Sequence, residues 1–166
     1  MTLRTRWLVL GGILLACRPT TTRPYFGPVT GAPAEEVQLD VPRATRVLQG
    51  IFHDDTLPVR LVEPRDGYLE SPWFDANSRV PVGRRQLGSD VVRIRVWIDP
   101  TREGYCRITA ETVYRPVADP SLDPRALDRQ VPPDHPVAQR VAEIMSGLVK
   151  LYGPQPSEAP AGSAAP

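Results

Sequence analysis

The sequence predicts an α+β domain, an antiparallel sheet of four to five strands packed on one face by two helices. Three observations carry this. The run VVRIRVWI at 91–98 alternates apolar and polar residues, and Tyr105 to Tyr114 does so again after a short turn. Strict alternation is the signature of a strand with one buried face. Val137, Val141, Ile144, Leu148 and Leu151 recur at helical spacing, which gives the stripe needed to cover such a sheet. A shorter stripe, Ala44, Val47, Leu48 and Ile51, supplies the second helix.

Taken in order, Val37, Leu39 and Val41 alternate with polar residues as a first strand. Pro42 then suits a helix's first turn, because its missing N–H has no partner to lose there. The helix is expected to run to about Ile51, weakened by Gly50 and ended by His53-Asp54-Asp55. Val59 to Glu63 reads as a strand, Pro64-Arg65-Asp66-Gly67 as a turn, and Tyr68 to Phe74 as the returning strand. Residues 75–89 are polar and irregular. In the next strand Val92, Ile94, Val96 and Ile98 face one way, with Arg93, Arg95 and Trp97 on the other. After the turn Asp99–Gly104, Cys106, Ile108 and Ala110 share the apolar face, opposite Arg107, Thr109 and Glu111. A proline-rich connection covers 116–133, and Asp134-His135-Pro136 opens the last helix, which Gly153 caps.

The N-terminus has a separate logic. Arg4 and Arg6 precede an apolar run from Trp7 to Leu15, broken only by Gly11 and Gly12. That run is too short for a permanent membrane span and fits a signal peptide over residues 1–16. Its end, Leu14-Leu15-Ala16-Cys17, resembles the bacterial lipobox. The resemblance implies a diacylglycerol thioether on Cys17, cleavage before it, and a further acyl chain on the new amino group. Because each buried methylene contributes about 0.8 kcal/mol, two or three chains hold a protein on a membrane almost permanently. Arg18 stands where an Asp commonly signals inner-membrane retention, so the resemblance implies the outer membrane, with the domain facing the periplasm.

Residues 17–34 then read as the lipidated cysteine and a flexible tether rich in Pro, Thr and Gly, and 154–166 as a disordered tail of similar composition. One domain at 35–153 remains. Without residues 1–16 the chain keeps 18 of its 20 basic side chains against 19 acidic ones. This balance gives no reason to expect a nucleic-acid partner. With Cys17 lipidated, Cys106 has no second cysteine to pair with, and its place on the apolar strand face marks it as core.

Chemistry is hard to find. His53, Asp54 and Asp55 are adjacent and poorly placed to converge on a metal, with His135 the only other histidine. Glu70 lies near Trp73, a pairing that more often solvates a strand than forms an acid in a cleft. The sequence contains no Gly-x-Ser-x-Gly, phosphate loop or zinc-type Cys–His spacing. No catalytic residue, metal or cofactor is therefore assigned, and the chain reads as a non-enzyme. Arg93, Arg95, Trp97 and Arg107 form the candidate contact face, since Arg and Trp are enriched at binding hot spots. Their plainer role is to solvate an open sheet face, with Glu111 as a cross-strand partner. Tyr68 and Trp73 are candidates for a groove between the sheet and the last helix.

The element order, together with Gly67-Tyr-Leu-Glu-Ser-Pro-Trp-Phe74, resembles the helix-grip domains of the BamC family, lipoproteins of the outer-membrane β-barrel assembly machinery. That family carries two such domains and this chain has room for one. The resemblance implies an accessory or scaffold role beside an envelope protein partner. The alternative expectation is a carrier for lipid or a small hydrophobic ligand.

Overall fold

The computed structural model describes residues 21–60, 63–83 and 87–154. The signal-like segment, Cys17 and the tail beyond 154 lie outside them. Among the described residues the fold is a six-stranded antiparallel sheet with two helices on one face, as the alternating strands and apolar stripes require.

Strand β1 (Ala34–Val37) leads into helix α1 (Val41–Asp54). Asp40 caps α1, its carboxylate accepting from the Arg43 N–H at 2.7 Å, and Pro42 occupies the first turn. Gly50 does not stop the helix, which continues past Ile51 because Phe52 adds a fully buried ring to its inner face. The turn at Pro64–Asp66 is a single 3-10 turn ending at Gly67. Gly67 has φ +60°, and a Cβ there would overlap the Ile98 carbonyl. Its own carbonyl accepts from the Ile98 N–H at 2.8 Å, so the chain crosses the end of the sheet where only glycine fits.

The expected hairpin of 59–63 with 68–74 is reduced. Its first arm shows one bridge, Arg60 to Glu70, with residues 61 and 62 outside the described set. Its second arm is two short strands, β2 (Tyr68–Glu70) and β3 (Phe74–Asp75), both paired with β4 (Gly88–Arg102). The break lies at Ser71, whose Oγ accepts from the Ile94 N–H at 2.9 Å, a place in the ladder that a carbonyl would otherwise take.

The long strand β4 and β5 (Tyr105–Arg115) form the centre of the sheet, joined by a tight turn at Gly104 with φ +74°. The strand order is β1-β5-β4-β2, and the short β6 (Arg129–Gln130) pairs with β5. The connection from 116 to 133 thus contains β6 and a 3-10 turn at Pro124–Leu127. Helix α2 (Pro136–Tyr152) opens on His135, whose Nδ1 accepts from the Val137 N–H at 3.2 Å. It closes at Gly153, whose N–H donates to Val149 O at 2.7 Å.

The core lies between the helices and one sheet face. Val92, Ile94, Val96, Ile98, Cys106 and Ile108 meet Leu48 and Phe52 of α1 and Val141, Ile144, Met145 and Leu148 of α2. Each fully buried Leu or Ile contributes about 1.5–3 kcal/mol. Arg140 of α2 forms an ion pair with Asp55 just past α1, which fastens the two helices at one end.

Candidate functional site

Much of the opposite face of the sheet is covered, with Arg107 its exposed member. By alternation it carries Tyr68, Glu70, Arg93, Arg95, Trp97, Arg107, Glu111 and Arg115. Residues 21–33, expected as free tether, lie across it. The Thr22 N–H and hydroxyl both donate to Asp66, and Arg23 pairs with Asp99. Phe26 packs edge-on against Trp97, with ring centres 6.4 Å apart. The Val29 N–H donates to Glu111 Oε2 at 2.7 Å, and Gly27 O accepts from Arg125 at 2.9 Å. A Pro/Thr/Gly segment cannot build a core of its own. It can still offer main-chain hydrogen-bonding groups to buried charges, and that is what fixes it here.

Beneath this strap is a buried ionic cluster. Arg95 is 2% exposed and Glu111 is fully buried. Arg95 Nη1 reaches Glu111 at 2.8 Å and Asp128 at 2.9 Å, and its Nε reaches Glu70 at 3.0 Å. Arg125 donates to both Glu111 oxygens, at 2.7 and 3.0 Å. Arg115 Nε holds Asp128 at 2.7 Å, and Arg93 holds Glu70 at 2.9 Å. Aromatic rings flank these charges. Phe26 stacks on Arg95 and Arg125, with guanidinium carbons 5.3 and 4.6 Å from its centre. Trp73 stacks on Arg93 and Arg115, both at 4.8 Å.

Four guanidinium groups therefore meet three carboxylates. Burial works against the Arg95 charge, but Glu111, Asp128 and Glu70 outweigh it and hold its pKa above the ordinary guanidinium value. Arg93 goes the other way. Burial lowers its pKa, Glu70 opposes the fall, and the charges of Arg95 and Arg115 add to it. The Tyr68 hydroxyl is pushed well above its ordinary value, first by burial and then by the Glu70 charge. The Tyr68 hydroxyl, Arg93 Nε and Trp97 Nε1 are buried and have no hydrogen-bond partner among the described residues.

The cluster borders a cleft of about 400 Å³ lined by Tyr68, Glu70, the four arginines and the strap at Thr22–Phe26. A neighbouring cleft of about 270 Å³ shares Tyr68, Glu70 and Arg93.

The structure revises the expected contact face. Arg93, Arg95 and Trp97 do share a side, and Arg95 is the register partner of Glu111. However, Arg95 and Trp97 are buried, because strap and connection cover them. Arg107 is exposed but lies opposite Asp99, near the far end of the hairpin. The expected groove is also misplaced. Tyr68 pairs with Trp97, and Trp73 stacks on arginines of the outer face, so neither lies between the sheet and α2. The interface between sheet and helices is filled by the apolar side chains of the core.

His53 and His135 are not brought together; His135 serves as the α2 cap. Among the described residues no group of three or more His, Cys, Asp or Glu is placed to hold a metal. Cys106 is fully buried, and burial, with the charges of Asp40 and Glu36, pushes its thiol up to about 11. Arg125, Asp128, Arg115 and Phe26 were not anticipated. Arg115 continues the alternation of 107, 109 and 111 and was legible, whereas nothing in the sequence pointed Arg125, Asp128 or Phe26 at the sheet.

Comparison with family models, with curated proteins and with solved structures finds no match to this chain.

Proposed function

We propose that this is a lipid-anchored cell-envelope protein of the bacterial outer membrane, whose periplasm-facing α+β domain acts by binding and not by catalysis. The observation that carries this is the order of the N-terminal sequence: Arg4 and Arg6, the apolar run Trp7–Leu15, then Leu14-Leu15-Ala16-Cys17. The domain supports it in a second way. Its buried charged side chains, Arg95, Glu111 and Asp128, are engaged with one another as guanidinium–carboxylate pairs, an arrangement suited to holding a shape. Among the described residues no helix is long and apolar enough to cross a membrane. The role we propose for the domain is accessory or scaffold, beside an envelope protein.

The test is mass spectrometry of the mature N-terminus after expression in a bacterium with an outer membrane. The expected product begins at Cys17 and carries acyl chains. Cys17→Ala should shift the protein out of the membrane fraction. A mature chain that starts elsewhere, or an unmodified Cys17, would refute the proposal.

A further inference from the structure

We infer that the cleft between β2, β4, β5 and the strap binds an oxyanion of the phosphate class. Four features of the cleft support this. First, Arg93, Arg95, Arg115 and Arg125 all line it, beside the carboxylates Glu70 and Asp123. Asp123 stands at the rim, its carboxylate accepting from the Arg125 N–H at 2.7 Å. Second, the guanidinium groups are incompletely used. Arg115 gives Nε to Asp128 and Arg93 gives one Nη to Glu70, and their other N–H groups have no protein partner among the described residues. Third, Tyr68 is 6% exposed, lines both clefts, and has a hydroxyl with no partner among the described residues. A buried donor of that kind is normally satisfied. Fourth, Trp73 stacks on both Arg93 and Arg115, each guanidinium carbon 4.8 Å from its ring centre, which ties both side chains to one ring.

Two guanidinium forks and a phenol hydroxyl bordering one cleft from separate elements offer more donors than the two oxygens of a carboxylate can take up. A phosphate group has four oxygens, three of them terminal in a monoester and two in a diester, and paired forks are the usual means of holding it. The cleft volume leaves room beside the phosphate for a small organic substituent, with the rings of Tyr25 and Phe26 as its wall.

The source of the phosphate is either a soluble ester or a lipid headgroup, and titration calorimetry on the full chain in neutral detergent distinguishes them. Inorganic phosphate is the first probe and glycerophosphoglycerol, a headgroup diester, the second, both at constant ionic strength. We expect saturable phosphate binding that Tyr68→Phe weakens by about fivefold or more, as loss of one hydrogen bond to a charged group predicts. Tyr68→Phe removes only an unbonded hydroxyl, so its melting temperature should match or exceed that of the parent. Arg115→Gln should weaken binding further. Diester binding at least as tight as that of phosphate assigns the site to a headgroup, and binding of phosphate alone assigns it to a soluble ester; either supports the inference. No saturable binding of either probe at tens of millimolar, or equal affinity in the parent and both variants, overturns it.

Discussion

Glu111→Gln is the most informative single change. It preserves shape and removes one charge from a fully buried carboxylate. Glu111 accepts from Arg95 at 2.8 Å, from Arg125 at 2.7 and 3.0 Å, and from the Val29 N–H at 2.7 Å. An amide replaces one oxygen by an NH2, so at least one of these donors would face another donor. The cluster would also fall to four positive charges against two negative. Breaking a buried ion pair by removing one partner costs about 3–5 kcal/mol, because the other charge stays buried without compensation. For a domain of this size each kilocalorie corresponds to about 3–5 °C in Tm, so a fall of about 10–20 °C is expected. Equilibrium urea unfolding followed by tryptophan fluorescence measures the loss directly. Arg125→Gln with Glu111→Gln should give a double-mutant coupling of at least about 1 kcal/mol. A loss below about 1 kcal/mol for Glu111→Gln would mean that this carboxylate is not buried against Arg95 and Arg125 in solution, and the account of the outer face would fail.

Three more expectations follow from the fold. Gly67→Ala should cost about 2–4 kcal/mol, combining the left-handed backbone with overlap of the Ile98 carbonyl, and chemical denaturation would measure it. The strap should loosen in acid: hydrogen bonds from Thr22 hold the Asp66 carboxyl below its usual range. The stabilisation is complete above the ordinary Asp value of about 3.9 and is lost as pH falls through the lowered native value. Hydrogen exchange at Thr22 should show protection lost as pH falls below the ordinary Asp value while β4 stays protected, and unchanged protection in Asp66→Asn at neutral pH would contradict this. In a Cys17→Ser background, Cys106 should react with a disulfide reagent at pH 8 only as fast as the domain unfolds; labelling of the native protein within minutes would place the thiol outside the core.

The elements that the sequence made legible are those with a strong period. β4 and β5 declare themselves by alternation, and α2 by its stripe from Val137 to Leu148. What alternation cannot report is what lies over a polar face. Arg95 and Glu111 look the same in sequence whether they face water or a lid, and their burial depends on Phe26 and Asp128, each distant along the chain. The strap was illegible for a related reason. Apart from Phe26, Thr22 and Arg23 it docks through main-chain groups, such as Val29 N and Gly27 O, which every residue possesses. The split of 68–74 into β2 and β3 turns on one hydroxyl, that of Ser71, entering the ladder. Residue preferences give no warning of such a substitution.

The docked strap also sets a length. If Cys17 is fixed in a lipid leaflet, Thr22 held at Asp66 leaves four residues, or five residue-to-residue steps, between the anchor and the folded body. A fully extended chain spans at most about 3.5 Å per residue, so the body can stand no more than about 17 Å away. With the strap released as far as Ala34, the same arithmetic allows about 60 Å. The contacts of Asp66, Asp99, Glu111 and Arg125 with residues 22–29 therefore decide whether the domain rests against the lipid headgroups or ranges into the space beyond them.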